Sequence, residues 1–219
     1  PWDDGDDMSS CLITAGATRN PVDAIRYLSA HASGRTGVTV AGSLDEHGIS
    51  AHLLGSGEAL LRQQLSAHPA VRTEEYRSTR DLMSRMKAWV TAHPTGGVVH
   101  SAAVGDYEAV TRASKIKSGA SELSLTLRPT PKILDHLRGW GLTGPLVSFK
   151  AASPETTDAQ LIDIARAQLD RSGSDLVFAN IIGRTTAGVY LVEAHQSRTF
   201  DQRGDAISAL VRWLQARLA

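Results

Sequence analysis

The chain has 219 residues, 42% of them hydrophobic, with 23 basic side chains against 23 acidic ones and a single cysteine. That length builds a full core without staples, and a lone cysteine excludes an intramolecular disulfide and a Cys-rich zinc site. No apolar run approaches the ~18–20 residues that cross a bilayer, and zero formal charge argues against the strong positive field of nonspecific nucleic-acid binding.

The charge is unevenly spread. Asp3, Asp4, Asp6 and Asp7 precede Met8, and setting them aside leaves 23 basic to 19 acidic residues. Residues 1–7 read as a disordered acidic tail and residues 8–219 as one domain. Only Lys87, Lys115, Lys117, Lys132 and Lys150 are lysines among the basic residues. In a chain that otherwise uses arginine, each lysine stands out.

Residues 11–14, with Cys11 as a small buried hydrophobe, predict a strand that breaks into a loop at 15–18. The loop continues to Ser33-Gly34-Arg35-Thr36-Gly37, where a helix begins that ends near His47. A strand at 50–54, a helix from 58 to about 67 and a strand at 71–76 follow. Ser78 then opens an amphipathic helix with Leu82, Met86, Trp89 and Val90 on one face. Residues 97–100 form another buried strand.

Residues 108–121 are polar and aperiodic, which predicts a mobile loop of functional length. Residues 123–127 alternate as a half-exposed strand, and Thr130 is expected to cap a helix with Pro131 in its first turn. Strands at 146–149 and 175–179 flank a helix at 157–171. Residues 189–193 and 197–200 suggest an antiparallel pair before a terminal helix at 205–219. This alternation predicts an α/β, Rossmann-like, mostly parallel sheet with helices on both faces.

Several familiar catalytic motifs are missing: no Gly-x-Ser-x-Gly, no His-Glu-x-x-His and no Walker motif. Gly55-Ser56-Gly57 imitates a dinucleotide fingerprint, but Leu60 occupies the place of the third glycine, which counts against a nicotinamide oxidoreductase. The eight histidines show no i,i+4 pair, so a histidine metal site is not expected. What remains is a series of small-residue segments, 14–18, 101–106, 148–153 and 179–180, at predicted strand ends, where open α/β sheets bind ligands. Each alone could be a tight turn. Together with the helix start at 33–37, whose N–H groups suit an anion, they favour a phosphate-bearing ligand.

The segments Ile13-Thr14-Ala15-Gly16-Ala17-Thr18-Arg19, Asp23-Ala24-Ile25-Arg26-Tyr27, Ala32-Ser33-Gly34-Arg35-Thr36-Gly37, Ala102-Ala103-Val104-Gly105-Asp106-Tyr107, Lys115-Ile116-Lys117, Thr130-Pro131-Lys132, Ser148-Phe149-Lys150 and Ala179-Asn180 occur in this order. In that order they resemble the phosphopantothenoylcysteine synthetases of coenzyme A biosynthesis, over residues 11–215. The resemblance implies a cytoplasmic ligase that activates the carboxylate of 4′-phosphopantothenate with CTP or ATP and Mg²⁺, then joins it to cysteine. It implies that Gly16, Ala17, Thr18, Ser33, Gly34, Arg35, Gly37, Phe149, Lys150 and Asn180 bind nucleotide. Ala102, Ala103 and Asp106 would line the substrate side. Lys115 and Lys117 would ride on a mobile flap that closes over the triphosphate. Arg26 would reach the substrate of a neighbouring subunit, which implies a homodimer with small-molecule partners and neither nucleic acid nor membrane.

One position departs from the family. Its members carry, four residues after the arginine, an asparagine implicated in handling the acyl-nucleotide intermediate, and this chain has Ala30 there. Alanine can neither donate nor accept a side-chain hydrogen bond. Three explanations stand side by side: a substitution introduced there, a diverged ligase joining another acid and amine, or His31 taking over. A nucleotide-binding protein impaired in turnover is the rival from another class.

Overall fold

The computed structural model describes residues 10–110, 114–119, 121–184 and 188–218. The tail expected at 1–7 lies outside them, as do residues 111–113 and 120 of the expected flap. The parallel strands are β1 (Ser10–Ala15), β4 (Ser50–Gly55), β5 (Arg72–Glu75), β6 (Gly97–His100), β9 (Leu146–Ala152) and β10 (Leu176–Ile181), and β11 (Val189–Val192) and β12 (Ser197–Phe200) close one edge in antiparallel fashion. Their order across the sheet is β12-β11-β10-β9-β6-β1-β4-β5. The expected α/β, mostly parallel sheet is what forms.

Alternation along the buried strands separates two apolar layers. Cys11, Ile13, Leu53, Val99, Val147, Leu176 and Phe178 face α1 (Arg35–Glu46) and α5 (Arg203–Leu218). Leu12, Leu54, Val98 and Leu146 face α3 (Thr79–Ala92), and Val177 and Ala179 face α4 (Asp158–Ser172). Successive side chains point to opposite faces of a strand, so a parallel sheet covered on both sides needs near-continuous apolar runs. The helix starts follow their caps: Ser78 accepts from Asp81 N–H, and Thr157 with Gln160 forms a capping box. Gly55-Ser56-Gly57 is a packed strand-to-helix turn in which Ser56 caps α2 (Gly57–Gln64) and Leu60 crowds Gly55.

Three local expectations need correction. Residues 19–29 are not a plain loop: β2 (Arg19–Pro21) and β3 (Tyr27–Ser29) pair as an antiparallel hairpin. Residues 123–126 form no strand; the strand lies further along at β8 (Leu127–Pro129), paired with β7 (Tyr107–Ala109) at the base of the flap. Thr130 caps no helix. Its hydroxyl donates to the Gly105 carbonyl at 2.6 Å and its N–H to the Asp106 carbonyl at 2.9 Å, and two short 3₁₀ turns, Ile133–His136 and Arg138–Trp140, follow. Gly141, at φ +101°, ends the second turn before an α-helix can propagate.

Candidate active site

Strands β1 and β6 are neighbours, but the chain leaves them toward opposite faces of the sheet: α1 joins one layer, the 3₁₀ turns the other. Such a reversal opens a crevice at the carboxyl ends of the strands. Here the two strand-end loops are tied together. Ala17 and Ala103 form a parallel bridge, with Thr18 N–H on the Ala103 carbonyl at 3.2 Å and Ala103 N–H on the Gly16 carbonyl at 2.8 Å. The Thr18 hydroxyl accepts from Gly105 N–H at 2.9 Å, so this side chain braces the platform from within.

The start of α1 is packed against that platform. Gly16 (φ +91°) and Gly34 (φ +76°) hold left-handed backbones; a Cβ on Gly16 would lie 2.0 Å from Ser56 Oγ, and one on Gly34 2.5 Å from Ala59 Cβ. A Cβ on Gly37 would sit 2.6 Å from Ala15 Cβ and 2.8 Å from Ser101 Oγ. Gly34 supplies no side-chain cap and the first turn of α1 carries no acidic residue. The first N–H groups of that helix therefore present the positive end of its dipole uncompensated. Arg62 donates to the Ser33 carbonyl at 3.1 Å, and Arg203 donates to Thr36 Oγ1 at 3.2 Å. Neither arginine was singled out by motif, because each comes from a different helix.

Beside the platform, a cleft of about 270 Å³ gathers His100, Ala102, Asp106, Lys132, Phe149, Lys150, Gln168 and Arg171. The Phe149 ring stacks on Phe178 with centroids 4.6 Å apart, and the Arg203 guanidinium lies 4.9 Å over the far aromatic, Phe178. Lys132 pairs with Asp106, and Arg171 with Asp135. Gln168 donates to Ser148 Oγ at 2.8 Å and to the Phe149 carbonyl at 3.3 Å, which fixes the direction of its amide. His100 Nδ1 is 2.9 Å from Thr14 Oγ1, and burial pushes its pKa down to about 4, so the ring is neutral at pH 7. The sequence reading missed His100, Gln168 and Arg171 as site residues. Only His100, at the last position of β6, carried a positional signal.

A second cleft of about 270 Å³ lies against the hairpin and holds Ala17, Arg19, Tyr27, Ala30, His31 and Ser56. Ala30 is exposed at the end of β3 and shares this space with His31. Arg26 lines an adjoining cleft with Asp23, so within one chain it is not in the cleft of Ala102 and Asp106. Lys115 and Lys117 are exposed and flank Ile116, which is bonded to Asp23 and Arg26 rather than placed beside Phe149. Asn180 is buried, with its amide on the Ile181 carbonyl at 3.4 Å, and does not line the Phe149 cleft. Among the described residues no group of three or more His, Cys, Asp or Glu could hold a metal, and no helix is long and apolar enough to cross a membrane.

Comparison with known proteins converges on one family. The profile of the DNA/pantothenate metabolism flavoprotein C-terminal domain matches residues 7–210. The chain is 36% identical over 173 residues to the coenzyme A biosynthesis bifunctional protein CoaBC of Thermococcus kodakarensis, covering 78% of this chain and 41% of that protein. It is 30% identical over 205 residues to the Escherichia coli CoaBC, covering 92% and 48%. The chain thus spans less than half the length of these curated relatives. The crystal structure of the DNA/pantothenate metabolism flavoprotein from Streptococcus pneumoniae superposes with a TM-score of 0.84 at 26% identity, over 94% of this chain and 98% of that one.

Proposed function

The chain belongs to the DNA/pantothenate metabolism flavoprotein C-terminal domain family, and from that membership and the strand-end clefts we propose that it is a nucleotide-dependent carboxylate–amine ligase. Its substrates are 4′-phosphopantothenate, a nucleoside triphosphate (CTP or ATP) and cysteine. A carboxylate oxygen attacks the α-phosphorus and pyrophosphate leaves. The amine of cysteine then attacks the acyl carbon, loses a proton and expels the nucleoside monophosphate.

The observation that carries this reading is the convergence of Phe149, Lys150, Lys132, Arg171 and Asp106 in one cleft beside the β1–β6 reversal. Phe149, backed by Phe178, offers a flat apolar face for a base. The cations and the open end of α1 offset the charge of a triphosphate, whose electrostatic stabilisation is the main demand of nucleotidyl transfer. Neutral His100 can hydrogen-bond without adding charge. Gly16, Ala17, Ser33, Gly34 and Gly37 bring backbone close to the phosphates, with Thr18 bracing them.

The described residues do not make a resident magnesium site. Asp106 is the carboxylate lining the Phe149 cleft, and it is paired with Lys132. Mg²⁺ is proposed to travel with the triphosphate, whose oxygens supply most of its ligands. A homodimer would let Arg26 complete the substrate site of a partner, consistent with its lying apart from Asp106 in one chain. Ala30 favours a second reading, a relative that forms the acyl nucleotide but transfers it slowly.

Nucleotide binding is testable by thermal shift, since a ligand that binds only the folded state raises the melting point. CTP or ATP with Mg²⁺ is expected to stabilise the protein, and Phe149→Leu to reduce that shift. Equal melting with and without both nucleotides overturns the reading.

A further inference from the structure

Asp23 sits in the turn between β2 and β3 with its side chain fully shielded from solvent. One carboxylate oxygen accepts the N–H of Ile25 at 3.0 Å and of Arg26 at 2.8 Å, closing the turn. The other accepts the Arg26 guanidinium at 2.5 Å and, from a distant part of the chain, the N–H of Ile116 at 2.8 Å. Arg26 Nη1 in turn donates to the Ile116 carbonyl at 3.3 Å. One ion pair therefore holds both backbone polar groups of a single residue, and that residue lies between exposed Lys115 and Lys117.

We propose that Asp23 is a positioning residue which, with Arg26, docks the lysine-bearing segment on the hairpin turn and so orders the two ammonium groups before an anionic ligand arrives. The identity of that ligand rests on the ligase reading; the docking does not. A polar segment that must be ordered on binding weakens the ligand's affinity by the cost of ordering, and a segment docked beforehand avoids that cost. The backbone donors and Arg26 hold the Asp23 carboxyl down at about pKa 2, so the anion persists across the working pH range. Because Arg26 reaches the flap of its own chain, a substrate contact by the same arginine would link flap docking to substrate binding.

The test is hydrogen exchange on the whole chain, read at residues 114–119. Asp23→Asn keeps an oxygen for the turn N–H groups but removes the anion, and Ile116→Pro removes the donor from the exposed loop while leaving the hairpin intact. Asp23→Asn should speed exchange of the Ile116 amide, the N–H that the carboxylate accepts, by about tenfold, the scale of a hydrogen bond to a charged group, with β1 and α1 unchanged; Ile116→Pro, which lacks that N–H, should reproduce the loss of nucleotide affinity. In a pyrophosphate-release assay, Asp23→Asn should raise the KM for the nucleotide by about tenfold with kcat little changed, the mark of lost binding rather than lost chemistry. Exchange of the Ile116 amide in Asp23→Asn equal to that of the unmodified protein overturns the proposal, as does a loosened segment with an unchanged KM. If the unmodified protein releases no pyrophosphate, the ligase reading fails and the exchange result alone decides the docking.

Discussion

Ala17 and Ala103 pair in parallel beyond the last residues of β1 and β6, so two loops that leave the sheet toward opposite faces are held as one surface. Backbone groups alone make the bridge: Thr18 N–H donates to the Ala103 carbonyl and Ala103 N–H to the Gly16 carbonyl. The start of α1 rests on the same surface through Gly37, whose missing Cβ is filled by Ala15, Ser101 and the Thr14 carbonyl.

Gly37→Ala should therefore destabilise the fold by about 1–3 kcal/mol, the usual cost of overpacking where neighbours are backbone and core atoms. Urea unfolding reads this as a lower midpoint with an unchanged slope. Gly204→Ala, in α5 with no heavy atom within 4 Å of the added Cβ, is the control and should be neutral or slightly stabilising.

Stability should fall on acidification through the range of histidine titration. Burial lowers the pKa of His100 to about 4, and burial with the nearby His93 lowers that of His52 to about 4. The unfolded chain takes up these protons near pH 6.5, the folded one only near pH 4. The stability present above pH 6.5 is lost as pH falls toward 4, by up to about 3 kcal/mol per group. Melting curves recorded from pH 7.5 to 4 check this, and replacing His100 with glutamine should flatten the slope. A melting point independent of pH between 6.5 and 4 would contradict it.

Restoring a polar side chain at position 30 should separate the two half-reactions. Ala30 is exposed in a cleft with room for a larger residue. Ala30→Asn should raise steady-state formation of the amide product by about a hundredfold, the scale of one hydrogen-bond donor aimed at developing charge, while leaving the rate of pyrophosphate release in the first turnover nearly unchanged. Parallel increases in both products would place the defect in nucleotide binding instead.

The sheet was legible because its strands are buried on both faces and write themselves as short apolar runs, with helix starts marked by Ser78 and Thr157. The β2–β3 hairpin was not, since its three-residue strands expose Arg19, Pro21, Tyr27 and Ser29 and leave no alternation to read. Contacts far along the sequence hold it: Asn20 accepts from Thr79 N–H and donates to the Tyr107 carbonyl, and Asp23 accepts from Ile116 N–H. The same limit hid half of the Phe149 cleft. Gln168 and Arg171 belong to a helix with its own apolar stripe, and only the packing of α4 against β9 and β10, with Ser148, Ser172 and Ser174 around Gln168, brings them to the site. Lys132 stands just before the first 3₁₀ turn, Ile133–His136, where the sequence predicts a helix capped by Thr130.

The most direct test of the central claim is pyrophosphate release from the purified protein given Mg²⁺, 4′-phosphopantothenate and either CTP or ATP, with and without cysteine. The account predicts release that requires both the acid and one of the nucleotides, accompanied by the acyl nucleotide when cysteine is withheld. No acid-dependent release with either nucleotide would contradict it.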